Sequence, residues 1–161
     1  MGLLIFSCKG DGKTLDKKYE DKLVVELTME IPKDDQFELY YRGKEEKFDS
    51  KKRIRIEVKG SKELQKLEYI FDILEFPTHI RLDFGQNEEQ AEMILDNLAF
   101  RYNDGIHNFT EEELKKFFRP NDGLKIDYEN MTIQTAAVNG KYIPYLNSFD
   151  ISYFVNKLIL Y

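Results

Sequence analysis

The chain is poor in the residues that usually carry recognisable chemistry. Its 161 residues include one cysteine, two histidines, four prolines and no tryptophan. A single cysteine, Cys8, excludes an internal disulfide, which suits a reducing compartment and equally a secreted protein that needs no bridge. Neither His79 nor His107 pairs with a cysteine or glutamate at metal-ligand spacing. No glycine-rich phosphate loop precedes a helix, and no Gly-x-Ser-x-Gly elbow occurs. No apolar run reaches the ~18 residues that span a bilayer. Basic residues do not gather beyond Lys51-Lys52-Arg53, and the net charge is −6, so nucleic acid is a poor candidate partner.

What is abundant is aromatic and alternating. There are 12 Phe and 10 Tyr, with 42% hydrophobic and 34% charged residues, the profile of a soluble globular chain. Its length suffices for one domain with a real core. The clearest pattern runs from Leu23 to Ile31. Leu23, Val25, Leu27, Met29 and Ile31 share one face, while Glu26, Thr28 and Glu30 share the other. Successive side chains of a strand point to opposite sides, so this is a strand with one dry and one wet face. Similar alternation recurs at 37–41, 54–58, 67–73, 80–84, 94–102, 124–128 and 131–135. Closely spaced strands of this kind predict a mostly β fold, an antiparallel β-sandwich of about eight or nine strands. Leu27, Phe71, Leu82 and Phe84 are its expected core residues.

Two local signals stand out. Thr110-Glu111-Glu112-Glu113 is a capping box, and Leu114, Phe117 and Phe118 follow at helical spacing, which predicts one short helix near 110–118. Asn139-Gly140 predicts a tight hairpin turn, with 141–146 as its return strand. At 149–161 the alternation of Ile151, Tyr153 and Val155 competes with a helical spacing of Phe154, Leu158 and Tyr161; strand is the preferred reading. No composition break divides the chain, so 21–161 reads as one sandwich domain behind a flexible tether at 1–20.

Met1-Gly2-Leu3-Leu4-Ile5-Phe6-Ser7-Cys8 is a short apolar run ending in Ser-Cys, followed by polar Lys9-Gly10-Asp11-Gly12-Lys13. It resembles the end of a bacterial lipoprotein signal, which makes Cys8 a candidate lipidation site. The basic n-region and the full apolar stretch of such a signal are missing. The competing reading is a first strand with a small buried cysteine.

Between Phe37 and Leu146 a series of motifs recurs in a familiar order: Phe37-Glu38-Leu39-Tyr40-Tyr41, Val58-Lys59-Gly60-Ser61, Ile80-Arg81-Leu82-Asp83-Phe84-Gly85, Asn121 before Asp127-Tyr128, and Tyr142-Ile143-Pro144-Tyr145. In that order they resemble the soluble β-sandwich modules of bacterial cell-envelope and surface-polysaccharide proteins, which look like jelly-roll carbohydrate-binding domains. The chain departs from such modules where Ile143 replaces an acidic residue. The resemblance implies a jelly-roll-like sandwich in the envelope, and it supplies no catalytic set.

The resulting expectation is a non-catalytic envelope module that binds a glycan or, alternatively, docks an envelope protein. Its only tie to a membrane would be a lipid on Cys8. A cytoplasmic location stays open. Tyr offers sugars a flat apolar body and a polar tip, and Tyr40 lies opposite Phe37, Leu39 and Tyr41, hence outward. Arg81 and Asp83 share the wet face of the most regular strand and could receive hydroxyls, although such pairs often do no more than solvate a surface. Tyr40, Arg81 and Asp83 are therefore the candidate ligand-binding residues. A hydrolase built on an acid pair is the third reading; with 30 Asp and Glu, no pair can be chosen without geometry. No cofactor is expected, but structural calcium has possible donors in Asn103-Asp104-Gly105 and Asn121-Asp122-Gly123, where ordinary turn formation is preferred.

Overall fold

The structure, a computed structural model, describes residues 17–72 and 76–160. The elements in chain order are β1 (Leu23–Ile31), β2 (Asp35–Arg42), β3 (Arg53–Val58), β4 (Ser61–Phe71), β5 (His79–Asp83), β6 (Met93–Tyr102), β7 (Gly105–Asn108), α1 (Glu111–Phe117), β8 (Phe118–Pro120), β9 (Leu124–Asp127), β10 (Thr132–Thr135), β11 (Tyr145–Ser148) and α2 (Ser152–Ile159). The first sheet runs β4-β1-β6-β10-β9, with β7 also on β6; the second runs β3-β2-β5-β11-β8. Neighbours within both sheets pair antiparallel. The architecture is a mostly β sandwich.

The dry faces meet between the sheets. Leu23, Val25, Leu27, Met29 and Ile31 are all at most 1% exposed, opposite a layer containing Phe37, Leu39, Leu82 and Phe84. The Phe37 and Phe84 rings meet edge-on at 5.6 Å, and Tyr41 meets Phe71 at 5.1 Å. Burying each such side chain is worth about 1.5–3 kcal/mol, which makes this interior the main source of stability. Leu27, Phe71, Leu82 and Phe84 are shielded as expected. Ile73 falls outside the described residues.

The capping box forms as read: the Glu113 N–H donates to Thr110 Oγ1, and the Thr110 N–H donates to the Glu113 carboxylate. α1 then passes through Phe118 directly into extended chain.

Four expectations are corrected. The tail 149–161 is not a strand, because α2 occupies 152–159. Ile151, Phe154 and Val155 are buried and Leu158 packs beside them, whereas Tyr153 is 68% exposed. Helical spacing thus gathers the apolar side chains that alternation would have scattered. The fold therefore has two helices. The return strand after Asn139-Gly140 is also shorter than read. The turn itself forms, with φ of 52° and 74° at its two central residues, and Val138 bridges Lys141. The chain then leaves for the other sheet, where β11 starts only at Tyr145. β7 and β8 were not anticipated; at four and three residues they are too short for periodicity to show. Finally, Glu26 is not on a wet face. It is 3% exposed and ion-paired to Arg101 at 2.6 Å and Lys66 at 3.3 Å.

Residues 17–20 lie against this first sheet. The Tyr19 hydroxyl donates to Glu68 at 2.7 Å, and Lys18 bonds the same carboxylate.

Candidate functional site

The outer face of the second sheet collects the polar half of every alternating strand in it. Pairing of β2 with β5 sets Glu38 opposite Asp83 and Tyr40 opposite Arg81. Pairing of β2 with β3 places Arg55 beside Glu38 and Arg53 beside Tyr40. On the other side, Tyr145 stands opposite Asp83. Period two in four adjacent strands therefore builds two polar rows over an apolar underside.

Arg81 is the centre of this lattice. Its Nε and Nη2 donate to the two oxygens of Asp83, both at 2.6 Å. Its guanidinium lies 4.5 Å from the Tyr40 ring centre and 4.7 Å from that of Tyr145. The fork is thus held by a bidentate carboxylate and two aromatic neighbours. Glu38, with its side chain only 7% exposed, accepts from the Tyr40 hydroxyl at 2.7 Å and from Arg55, and Arg53 stands 3.5 Å away.

The two facing carboxylates are pushed in opposite directions. Burial is the largest influence on Asp83 and raises its pKa; Arg81 pulls it back, and the charge of Glu38 adds to the rise. Burial is also the largest single influence on Glu38. There the Tyr40 hydroxyl, Arg55 and Arg53 together outweigh it, and the net shift is downward. Burial and the bond to Glu38 raise Tyr40.

Beside this floor opens a cleft of about 390 Å³, lined by Glu38, Tyr40, Arg81 and Asp83 below and by Tyr142 and Ile143 on one wall, with Gln86 and Glu88 at the rim. The wall is fastened at several points. Asn121 donates to the Ile143 carbonyl at 2.8 Å and accepts the Tyr145 N–H at 2.9 Å. Phe84 N–H donates to the Pro144 carbonyl, and the Tyr142 hydroxyl donates to Thr135 at 2.7 Å. The rim hangs on Asp35, whose carboxylate accepts the N–H groups of Gln36, Gln86 and Asn87 and the side chain of Gln90. Gly85 is needed where the rim begins: its φ is 93°, and a Cβ there would overlap the Asp35 carboxylate.

All three residues singled out from sequence, Tyr40, Arg81 and Asp83, meet in this site. Tyr40 is less open than its outward position suggested. It is half-buried, its hydroxyl is committed to Glu38, and Arg81 and Arg53 lie over its ring. Those contacts fix its place in the floor. Sequence reasoning left out Glu38 and Tyr142, although Glu38 shares the outward face with Tyr40 and Tyr142 belongs to a motif already noted. Cys8 lies outside the described residues.

The remaining candidates resolve into structure. Asn103 takes a positive φ of 50° in the β6–β7 turn and exchanges hydrogen bonds with Asp21. Asn121-Asp122-Gly123 forms the turn that precedes β9. Among the described residues no three His, Cys, Asp or Glu side chains converge as a metal would require. His107 bonds Glu113 and packs between the Phe109 and Phe154 rings at 4.8 and 4.7 Å. His79 contacts the Thr78 hydroxyl, and burial, followed by nearby Arg42, lowers its pKa. Among the described residues no helix is long and apolar enough to cross a membrane.

No protein-family model, no curated protein and no solved structure matches the chain.

Proposed function

We propose that this chain is a non-catalytic binding module of a bacterial cell envelope, and that it holds a glycan in the cleft on the second sheet. The observation that carries this reading is the pairing of a rigid hydrogen-bonding floor with an aromatic and aliphatic wall in one groove. A sugar ring has the same division, with hydroxyls at its edge and C–H groups on its face. Fixed carboxylate, guanidinium and amide groups serve the edge, and Tyr142 with Ile143 serves the face. A groove of this kind favours a glycan over a flat protein-docking surface.

Binding rather than hydrolysis is supported by how the two carboxylates are spent. Both oxygens of Asp83 are engaged by Arg81, and Glu38 is engaged by Tyr40, Arg55 and Arg53. A general acid or a nucleophile needs a free oxygen facing the substrate. The envelope assignment rests on the motif order and on the N-terminal run that ends in Cys8.

A glycan array followed by calorimetry tests the reading. The expected dissociation constant lies between about 1 μM and 1 mM, or ~4–8 kcal/mol of binding free energy. Tyr142→Ala should lower affinity while the fold persists. Failure to bind any glycan across the array would overturn the proposal. For the anchor, mass spectrometry of the protein from native membranes should find Cys8 acylated; an unmodified thiol rejects it.

A further inference from the structure

The cleft has two unlike ends. On the floor, each acidic group is matched by a cation: Asp83 by Arg81, and Glu38 by Arg55 and Arg53. Two tyrosine rings there, Tyr40 and Tyr145, also have a guanidinium over them. The wall end is built from the same residue types without the cations. Tyr142 lines the cleft, and among the described residues no cation or aromatic group stacks on its ring. Glu88 on the rim forms no ion pair with any described residue. Asp35 beneath it takes only neutral amide donors. Arg81, already neutralised by Asp83, is the cation among the cleft's lining residues.

We propose that the Tyr142–Glu88 end of the cleft binds a protonated amine, so that the preferred ligand is a glycan carrying free amino sugars rather than N-acetylated or acidic ones. This rests on the glycan reading of the same cleft and names its ligand class. A tyrosine ring attracts an ammonium through its negative face, and Glu88 and Asp35, which have no ion-pair partner among the described residues, add a Coulomb attraction. The ring is held in place, because its hydroxyl is tied to Thr135 and the segment carrying it is pinned by Asn121. Ile143 beside it offers an apolar contact for the C–H groups that flank the amine. Burial is the largest influence on the Tyr142 hydroxyl and raises its pKa; the bond to Thr135 pulls it back, and the charges of Asp35 and Glu88 add to the rise, as an acidic local field would. A carboxylated sugar would meet that field as repulsion.

The test compares fully deacetylated and fully acetylated glucosamine tetramers, with n-butylammonium as a separate probe, by calorimetry and NMR on the full chain. At about pH 6 a sugar amine, similar in basicity to an α-amino group, is protonated. The deacetylated tetramer should bind about tenfold tighter than the acetylated one. Glu88→Gln, a change on an exposed loop, should cut that preference to about threefold. Tyr142→Phe keeps the ring and should keep the preference, whereas Tyr142→Leu should lose it. Equal or tighter binding of the acetylated tetramer overturns the inference and leaves the glycan reading standing. If neither tetramer binds but butylammonium shifts the Tyr142 and Glu88 signals, the amine site stands and the amino-sugar ligand class falls. No response to the tetramers or to butylammonium overturns the inference, and the glycan array decides the wider reading.

Discussion

The outer faces of the two sheets solve the same problem to different ends. Each carries a low-exposure glutamate at the centre of a strand, paired with basic residues from its neighbours: Glu26 with Arg101 and Lys66, Glu38 with Arg55 and Arg53. On the first sheet, Lys18 and Tyr19 lie over the neighbouring strand and complete the network through Glu68. On the second sheet the network borders a cleft whose far wall is aromatic. A buried carboxylate paired with cations is therefore no mark of a site in this protein. What distinguishes the second face is the wall beside the floor, with acids that have no cation.

The largest expected effect falls on the structure that keeps the second face open. Gly85→Ala forces a side chain into the Asp35 carboxylate at a φ of 93° and should cost about 2–4 kcal/mol in urea unfolding. A loss under about 1 kcal/mol would mean that the rim shifts freely and is not pinned as described.

The glutamates should separate next. Glu26→Ala leaves Arg101, 26% exposed, without its closest partner and should cost about 2–3 kcal/mol. Glu38→Ala frees two arginines that reach water more easily, at 33% and 44% exposure, and should cost about half as much. Equal losses would erase the distinction between a covered and an open face.

Acid sharpens the same contrast. The Glu38 pKa is lowered in the fold, so its contribution is present above the unfolded value of 4.5 and is lost as pH falls through the lower folded value. Asp83 is raised. Its ionisation therefore costs stability as pH climbs from 3.8 through the higher folded value, which partly offsets Glu38. Glu38→Gln should accordingly show a shallower decline in the urea midpoint below pH 4.5 than the parent chain. An unchanged slope would remove Glu38 from the acid response.

The smallest effect concerns the interior that both faces share. Tyr69 is fully buried, burial drives its pKa far upward, and its hydroxyl has no hydrogen-bond partner among the described residues. Tyr69→Phe should therefore hold or raise stability by about 1 kcal/mol. A clear loss would reveal a hydrogen bond to a buried water.

Legibility in the sequence tracked length and burial. β1 alternates along most of its nine residues, with Val24 the apolar exception on the second face, and its bounds were read without error because the other face is wholly dry. α2 was misread because Ile151, Tyr153 and Val155 alternate while the buried set, Ile151, Phe154 and Val155, is spaced for a helix. Only the exposure of Tyr153 decides between the two patterns, and that is a tertiary fact. At the site, alternation gave the direction of Tyr40, Arg81 and Asp83. It also put Arg81 beside Asp83 and Tyr40 beside Glu38, two residues apart on one face, but it could not give the contacts of Arg81 with Tyr40 and Tyr145, because β2, β5 and β11 are far apart in the chain and meet only through sheet order. The covered state of Glu26 was hidden for the same reason, since its two cations come from β4 and β6.

The wall of the cleft belongs to neither sheet. Residues 142–144 hang between the Val138–Lys141 bridge and the start of β11, and a side chain added at Gly140 would meet nothing within 4 Å. If the cleft binds a glycan as proposed, the wall side chains that would meet it lie outside both sheets. Lengthening the tip, or exchanging Tyr142 and Ile143, would retune what the groove accepts while Leu27 and Phe84 keep their neighbours. The same scaffold could thus diversify its cargo by edits confined to one short span of chain.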